Sequence, residues 1–186
     1  QESFTIDDAL RMDNVGDVKI LPDGSSVFYS ISSLDWSKNE RTKRYFLASA
    51  DGSSVREYIG RAGGESFSFS PDGKSLAFLR EVKSDSDSDE PEMQLFIMPT
   101  NGGEAIQVSE HPGKIIDYKW SPNVETIFFV AEEVYDEETE KEIKLGADPV
   151  FVDEGPNGKE RARFSNIWKL DLIDGKDARK ITDEKL

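Results

Sequence analysis

The chain has 186 residues, and its 23 lysines and arginines face 38 aspartates and glutamates, which leaves a formal net charge of −15. A chain this acidic repels phosphate groups, so nucleic acids and anionic membrane surfaces are excluded as expected partners. Cysteine is absent and His111 is the only histidine, so disulfides, thiolate metal sites and two-histidine metal sites are excluded as well.

The apolar content predicts a folded domain without a membrane span. Hydrophobic residues make up 36% of the chain, which is enough to build a core. The longest uninterrupted apolar run, residues 127–131, is much shorter than the roughly 20 residues that a membrane-spanning helix needs.

The amino-terminal segment predicts a short helix. Thr5 and Asp8 have the spacing of a capping box, which predicts a helix through Met12 ahead of the first strand. The chain begins at Gln1 with neither an initiator methionine nor a basic and apolar leader, so we expect a processed protein or part of a longer one. A periplasmic or secreted location is favoured over a cytoplasmic one.

A repeat of about 50 residues organises the rest of the chain. Residues 18–30, 67–79 and 118–130 match one another, and each contains one proline. Apolar residues alternate with polar ones on both sides of that proline, which is typical of two antiparallel strands joined by a turn. The repeat therefore predicts a hairpin in each of the three segments.

The turn of the hairpin has a physical explanation in the second copy, SPDGK. Pro71 presets φ at the first corner and Gly73 accepts a positive φ. The third copy has Asn123 and Val124 where the other copies have aspartate and glycine. We therefore expect a different turn conformation in the third copy.

Each hairpin is followed by two further apolar segments, the first of which ends in a turn signal with glycine. Four antiparallel strands per repeat form the blade of a β-propeller. The predicted fold is therefore all-β, a partial β-propeller of three four-stranded blades with a short amino-terminal helix. The predicted blades cover about residues 16–60, 65–110 and 114–183, and the third contains an insertion at about 132–164.

Three blades do not close a propeller ring, since closed propellers have about 4 to 8 blades. We therefore expect this chain to be one fragment of a propeller domain. Its expected partners are the missing blades, and self-association of the fragment is the alternative way to cover the open blade faces.

Three stretches of sequence carry a resemblance to a known family: the opening FTIDDALRMDNVGDVKILPDG, the SPDGK hairpin and GADPVFVDEGPNGKERARFSNIWKLDL. Together they resemble the amino-terminal propeller of the prolyl oligopeptidase family of serine peptidases, in its acylaminoacyl peptidase and dipeptidyl peptidase branch. The resemblance implies a following α/β-hydrolase domain, peptide substrates that the propeller docks and gates, and no cofactor. The SPDGK hairpin alone is shared with TolB-like propellers, so an envelope binding propeller without enzymatic activity is the alternative.

No catalytic residue is predicted in this chain. An α/β-hydrolase needs a GxSxG elbow followed by an aspartate and a histidine, and the sequence contains no GxSxG. We therefore expect the fragment itself to be inert, and any serine peptidase activity to belong to the full protein.

Four residues are candidate contacts to a substrate or to a catalytic domain. Glu132 and Glu133 are similar to the paired glutamates with which dipeptidyl peptidase propellers hold a substrate amino terminus, and two carboxylates suit an ammonium group. Arg161 and Arg163 form a basic cluster that suits a carboxylate or a domain contact. The competing interpretations are a solvated acidic segment for the glutamates and local salt bridges for the arginines.

Other conspicuous residues favour structural roles. Residues 84–92 alternate serine and aspartate but lack the glycine and glutamate that a calcium loop requires, so we expect a solvated acidic loop and no metal site. His111 lies in a predicted turn, where a structural or exposed histidine is the main expectation and a functional one the alternative. Trp120 and Trp168 occupy strand positions, which predicts packing in the core between blades.

Overall fold

The structure, a computed structural model, describes residues 5–59, 63–83, 92–133, 164–173 and 177–183. These residues form one short helix, α1 (Ile6–Arg11), and a series of β-strands. The strands are β1 (Asn14–Ile20), β2 (Ser26–Asp35), β3 (Glu40–Ser49), β4 (Val55–Ile59), β5 (Glu65–Phe69), β6 (Ser75–Val82), β7 (Glu92–Pro99), β8 (Ile106–Gln107), β9 (Ile115–Trp120), β10 (Thr126–Glu132), β11 (Ser165–Asp171) and β12 (Ala178–Lys180).

The strands form three four-stranded sheets, each built from strands consecutive in the chain. The first sheet has the order β1-β2-β3-β4, the second β5-β6-β7-β8 and the third β12-β11-β10-β9. The predicted all-β fold with three antiparallel blades is confirmed, whereas the blade boundaries stay predictions. The interiors of the acidic loop and of the blade-3 insertion lie outside the described residues.

The capping box of α1 is confirmed. The backbone N–H of Asp8 donates to Oγ1 of Thr5 at 3.2 Å, and the Thr5 N–H donates to Oδ2 of Asp8 at 2.9 Å. The helix ends at Arg11, one residue earlier than predicted, because Met12 takes an extended conformation. Among the described residues, no helix has the length and apolar character needed to cross a bilayer.

The turn of the third hairpin adopts the same conformation as the other two, so the expected difference is wrong. Val124 has φ +67°, close to the +72° of Gly24 and the +69° of Gly73 at the matching positions. Its N–H donates to the carbonyl of Ser121 at 3.0 Å, as the N–H of the corresponding glycine does in the first two turns. A β-branched residue is held here in the left-handed region, which favours glycine.

The polar residue before Val124 explains why the turn survives. Oδ1 of Asn123 accepts a hydrogen bond from the N–H of Glu125 at 3.2 Å. Oδ1 of Asp23 and Oδ1 of Asp72 accept the equivalent bonds in the first and second turns. Asparagine therefore replaces aspartate in this local hydrogen bond, while the strand ladder on either side imposes the backbone of the turn.

The chain divides into two compact units, residues 1–80 with 97–106 and residues 81–96 with 107–186. The core of the first unit is aromatic: the ring centroid of Phe67 lies 4.9 Å from that of Phe28 and 4.8 Å from that of Tyr45. The core of the second unit is built mainly from aliphatic and aromatic side chains. Its fully buried members include Leu95, Ile115, Ile127, Phe129 and Leu170.

An apolar row crosses the outward face of the first sheet. Ile20 pairs with Val27, Val27 with Ala48, and Ala48 with Val55, so the four side chains lie on one face. Phe28, the neighbour of Val27, is fully buried on the opposite face. Ile20 is 66% exposed and Val55 57% exposed, so the row is an apolar surface.

The third sheet also has an exposed apolar centre on one face. Phe128 pairs with Lys119 on β9 and with Lys169 on β11, and Val130 pairs with Ile167. Phe128 and Ile167 are both exposed to solvent. The apolar centre is therefore flanked by lysines.

Candidate functional site

A buried polar network places the backbone on which His111 lies. Gln94, in the middle of β7, donates from Nε2 to the carbonyl of His111 at 2.6 Å. Its Oε1 accepts from the hydroxyl of Ser109 at 2.7 Å and from the N–H of His111 at 3.1 Å. The Ser109 hydroxyl in turn accepts from the N–H of Leu95 at 2.8 Å. The Gln94 amide thereby holds the segment between β8 and β9 in one conformation.

The imidazole of His111 is buried and is oriented by its own turn. Nδ1 lies 3.0 Å from the backbone nitrogen of Gly113 and 3.1 Å from its carbonyl oxygen, and His111 is only 6% exposed. The ring packs edge-to-face against Trp168, with centroids 4.5 Å apart, and against Phe129 at 5.5 Å. Burial lowers the pKa of His111, although the backbone hydrogen bond with Gly113 and the carboxylate of Glu133 act in the opposite direction.

A pocket of about 470 Å³ lies beside these rings. His111 and Trp168 line it, together with the acidic residues Glu110, Glu133 and Asp177. In the described part of the chain, neither Nε2 of His111 nor Nε1 of Trp168 has a hydrogen-bond partner, and both atoms are buried. A buried polar atom without a hydrogen-bond partner costs about 1–3 kcal/mol, and contact with an aromatic ring compensates this cost only weakly.

Glu133 is tied to the outer strands of the third sheet. Its Oε1 accepts from Nδ2 of Asn166 at 2.8 Å and forms an ion pair with Lys180. Oδ1 of Asn166 accepts from the hydroxyl of Thr182 at 2.8 Å, and that hydroxyl accepts from the N–H of Ile167 at 2.9 Å. The Glu133 carboxylate is therefore positioned rather than free to rotate.

The structure separates the two predicted glutamates. Glu133 lines the pocket, whereas Glu132 is not among its lining residues, as expected for neighbours at the end of one strand. Arg161 and Arg163 lie outside the described residues. The role of all four as contacts stays a prediction.

Trp120 and Trp168 are half-buried and not enclosed in the core. Trp168 stacks on Phe129 at a centroid distance of 6.5 Å and also lines the pocket. The side chain of His111 is buried, whereas its place in a predicted turn was also compatible with an exposed side chain. Among the described residues, no group of three or more histidine, aspartate or glutamate side chains has a metal-binding arrangement.

Sequence reasoning missed Gln94 and Asn166, the two amides that position this site. Gln94 is a polar residue inside the apolar run MQLFIM, and Asn166 precedes the apolar Ile167. A buried strand that contains one amide requires a hydrogen-bond partner for it, so the interrupted apolar pattern was an available signal.

The chain is similar in sequence to two curated peptidases. It is 31% identical over 125 residues to the peptidase YuxL of Bacillus subtilis, a match that covers 67% of this chain and 18% of the relative. It is 28% identical over 124 residues to dipeptidyl-peptidase 5 of Porphyromonas endodontalis, covering 66% of this chain and 17% of the relative. The chain spans about a fifth of the length of these curated relatives.

Solved structures show the same fold. An acylaminoacyl peptidase from Pyrococcus horikoshii matches 92% of this chain and 26% of its own with a TM-score of 0.62 and 16% identity. The β-propeller domain of the Trilobed protease from Pyrococcus furiosus matches 92% of this chain and 44% of its own, with a TM-score of 0.55 and 13% identity. The resemblance to the propeller of prolyl oligopeptidase family peptidases is confirmed.

Two further comparisons define the limits of this resemblance. A putative TolB from Agrobacterium tumefaciens matches 91% of this chain and 48% of its own, with a TM-score of 0.51 and 17% identity. At such identities the structural likeness establishes the propeller fold alone. No family model matches the chain.

Proposed function

We propose that this chain is a non-catalytic propeller segment of a serine peptidase, which docks peptides and gates their access to a catalytic domain in the rest of the polypeptide. The observation that carries the proposal is the sequence similarity to two peptidases along two thirds of a chain that folds into three propeller-type sheets. The exposed apolar faces of the first and third sheets support it, since further blades would cover them. Glu132, Glu133, Arg161 and Arg163 are proposed contacts to the substrate or to the catalytic domain.

The catalytic part of this proposal is tested with aminoacyl and dipeptidyl reporter substrates. The purified 186-residue chain should show no turnover, because it has no GxSxG nucleophile elbow. Turnover that a serine-directed phosphonate abolishes would contradict the non-catalytic assignment.

The peptidase assignment is tested by the reading frame that follows Leu186. A GxSxG motif with a later aspartate and histidine supports the proposal. Further propeller repeats up to a stop codon favour the TolB-like binding propeller instead. In a polypeptide that contains both regions, gating predicts that kcat/KM falls as peptide length increases and that removing this segment abolishes the dependence.

A further inference from the structure

The pocket beside His111 combines two features that a purely structural cavity does not need. The first is a pair of buried ring nitrogens, Nε2 of His111 and Nε1 of Trp168, that have no hydrogen-bond partner within the described ranges. The second is the acidic lining, to which Glu110, Glu133 and Asp177 contribute. Each feature identifies one chemical group of a ligand.

The indole nitrogen of Trp168 requires a hydrogen-bond acceptor, and Nε2 of His111 requires a hydrogen-bond partner of either kind. The backbone nitrogen of Gly113 lies 3.0 Å from Nδ1 of His111 and its carbonyl oxygen 3.1 Å, so Nδ1 can accept or donate and Nε2 takes the opposite role in the neutral ring. The indole Nε1 of Trp168 is a donor only. A carboxylate ligand would be repelled by the acidic lining, so the acceptor that fits is an uncharged carbonyl oxygen.

The acidic lining requires a cation. Lys180 offsets the charge of Glu133, but Asp177 has no ion-pair partner among the described residues. The pocket therefore keeps a negative potential, and the ring of Trp168 offers a surface that attracts cations. A volume of about 470 Å³ lies within the range of small-ligand sites.

We infer that this pocket binds a basic side chain of a peptide, with its cation facing Asp177 and Glu133 and an adjacent amide carbonyl accepting from Nε1 of Trp168. Lysine and arginine residues within a peptide carry both groups, whereas a simple amine lacks the carbonyl. This inference rests on the proposed peptide-docking function and names the kind of side chain that would be docked. The binding itself needs no catalytic domain, so its failure is distinguishable from failure of the hydrolysis and gene-sequence tests.

The test is a titration of the ¹⁵N-labelled chain with N-acetyl-lysine amide, observed at the indole N–H cross-peaks of the three tryptophans. The cross-peak that is missing from the spectrum of Trp168→Phe is assigned to the indole N–H of Trp168. If that variant does not fold, Trp36→Phe and Trp120→Phe assign it by elimination. We expect a saturable shift of the Trp168 peak at millimolar ligand, with the other two peaks unchanged.

Two matched comparisons separate this site from general attraction. N-acetyl-norleucine amide lacks the ammonium group and should bind about tenfold more weakly, and n-butylammonium, which lacks the carbonyl, should also bind more weakly.

Asp177→Asn removes an exposed lining charge and should weaken binding about threefold, whereas Glu104→Gln, which removes an exposed carboxylate outside the pocket, should leave binding unchanged.

Three results would overturn the inference. The first is the absence of a saturable Trp168 shift. The second is equal affinity for the norleucine analogue, which would reveal an apolar pocket only. The third is equal weakening by Asp177→Asn and Glu104→Gln, which would assign the attraction to the net charge of the whole chain.

Discussion

Nδ1 of His111 lies 3.0 Å from the backbone nitrogen of Gly113 and 3.1 Å from its carbonyl oxygen, and this contact with one residue orients a buried imidazole. Protonation of the ring would place a charge among Phe129 and Trp168, which is why burial lowers the pKa of His111 below its usual 6.5. The unfolded chain therefore binds the proton more readily than the folded chain does.

We expect the free energy of unfolding to decrease as the pH falls below about 6.5, the pKa of the unfolded histidine. Above that pH, His111 does not reduce the free energy of unfolding. As the pH falls towards the lower pKa of the folded state, the free energy of unfolding decreases. Urea denaturation between about pH 5.5 and 7.5 measures the slope. His111→Phe should flatten the slope in this window even if it lowers stability at every pH, and an unchanged slope would contradict the assignment.

Val124→Gly is expected to stabilise the chain by about 1 kcal/mol. The substitution removes the cost of a β-branched residue at φ +67°, and this gain exceeds the added entropy of glycine in the unfolded chain. Gly24→Val is the mirror experiment, since that glycine has φ +72° and open space around its Cβ position. It should destabilise by a similar amount in thermal or urea unfolding. If Val124→Gly lowers the free energy of unfolding, the contacts of the valine side chain stabilise the fold by more than its positive φ destabilises it.

Gly64→Ala is expected to destabilise the chain by about 2–3 kcal/mol. A Cβ at this position would lie 2.6 Å from Cδ2 of Phe78, a fully buried ring, and 3.0 Å from the carbonyl oxygen of Leu79. Gly16→Ala is the control, because its Cβ would lie at an ordinary 3.4 Å from Oγ of Ser30. Chemical denaturation of both variants should separate them clearly, and equal effects would argue against the steric explanation.

The apolar row on the first sheet predicts self-association of the isolated chain. Burial of exposed apolar area favours assembly, while the net charge of −15 opposes it at low salt. Sedimentation at moderate salt should show a concentration-dependent increase in mass. Ile20→Lys should reduce it, whereas Ile173→Lys, which adds the same charge at a 73% exposed turn position, should not. A wild-type monomer across micromolar concentrations would contradict the prediction.

The parts of the fold with local causes could be predicted from the sequence. Thr5 and Asp8 specify their helix start because both partners of the capping box lie within one turn of helix. Alternation of apolar residues predicted the strands, since the core face of a sheet repeats every second residue. The strand β2 nevertheless extends to Asp35, beyond the predicted hairpin at 18–30, because its outer residues pair with β3 without being buried.

The candidate site depends on partners distant in the chain and was not predictable in the same way. Gln94 lies 17 residues from His111, so the local turn pattern contains no sign that the histidine is buried. In the third turn, the local sequence predicted a change that did not occur. Glycine is preferred there because other residues pay a conformational cost at positive φ, but the paired strands on either side impose the turn at Val124 despite that cost.

The hydrogen-bonding side chain at the second corner of each hairpin, Asp23, Asp72 or Asn123, is the feature that all three turns share. Glycine is absent from one of them, so a search for further copies of this repeat by its glycine would overlook blades that have the same backbone. A pattern that accepts aspartate or asparagine after the proline, followed by any residue, is the appropriate probe for divergent blades in related chains.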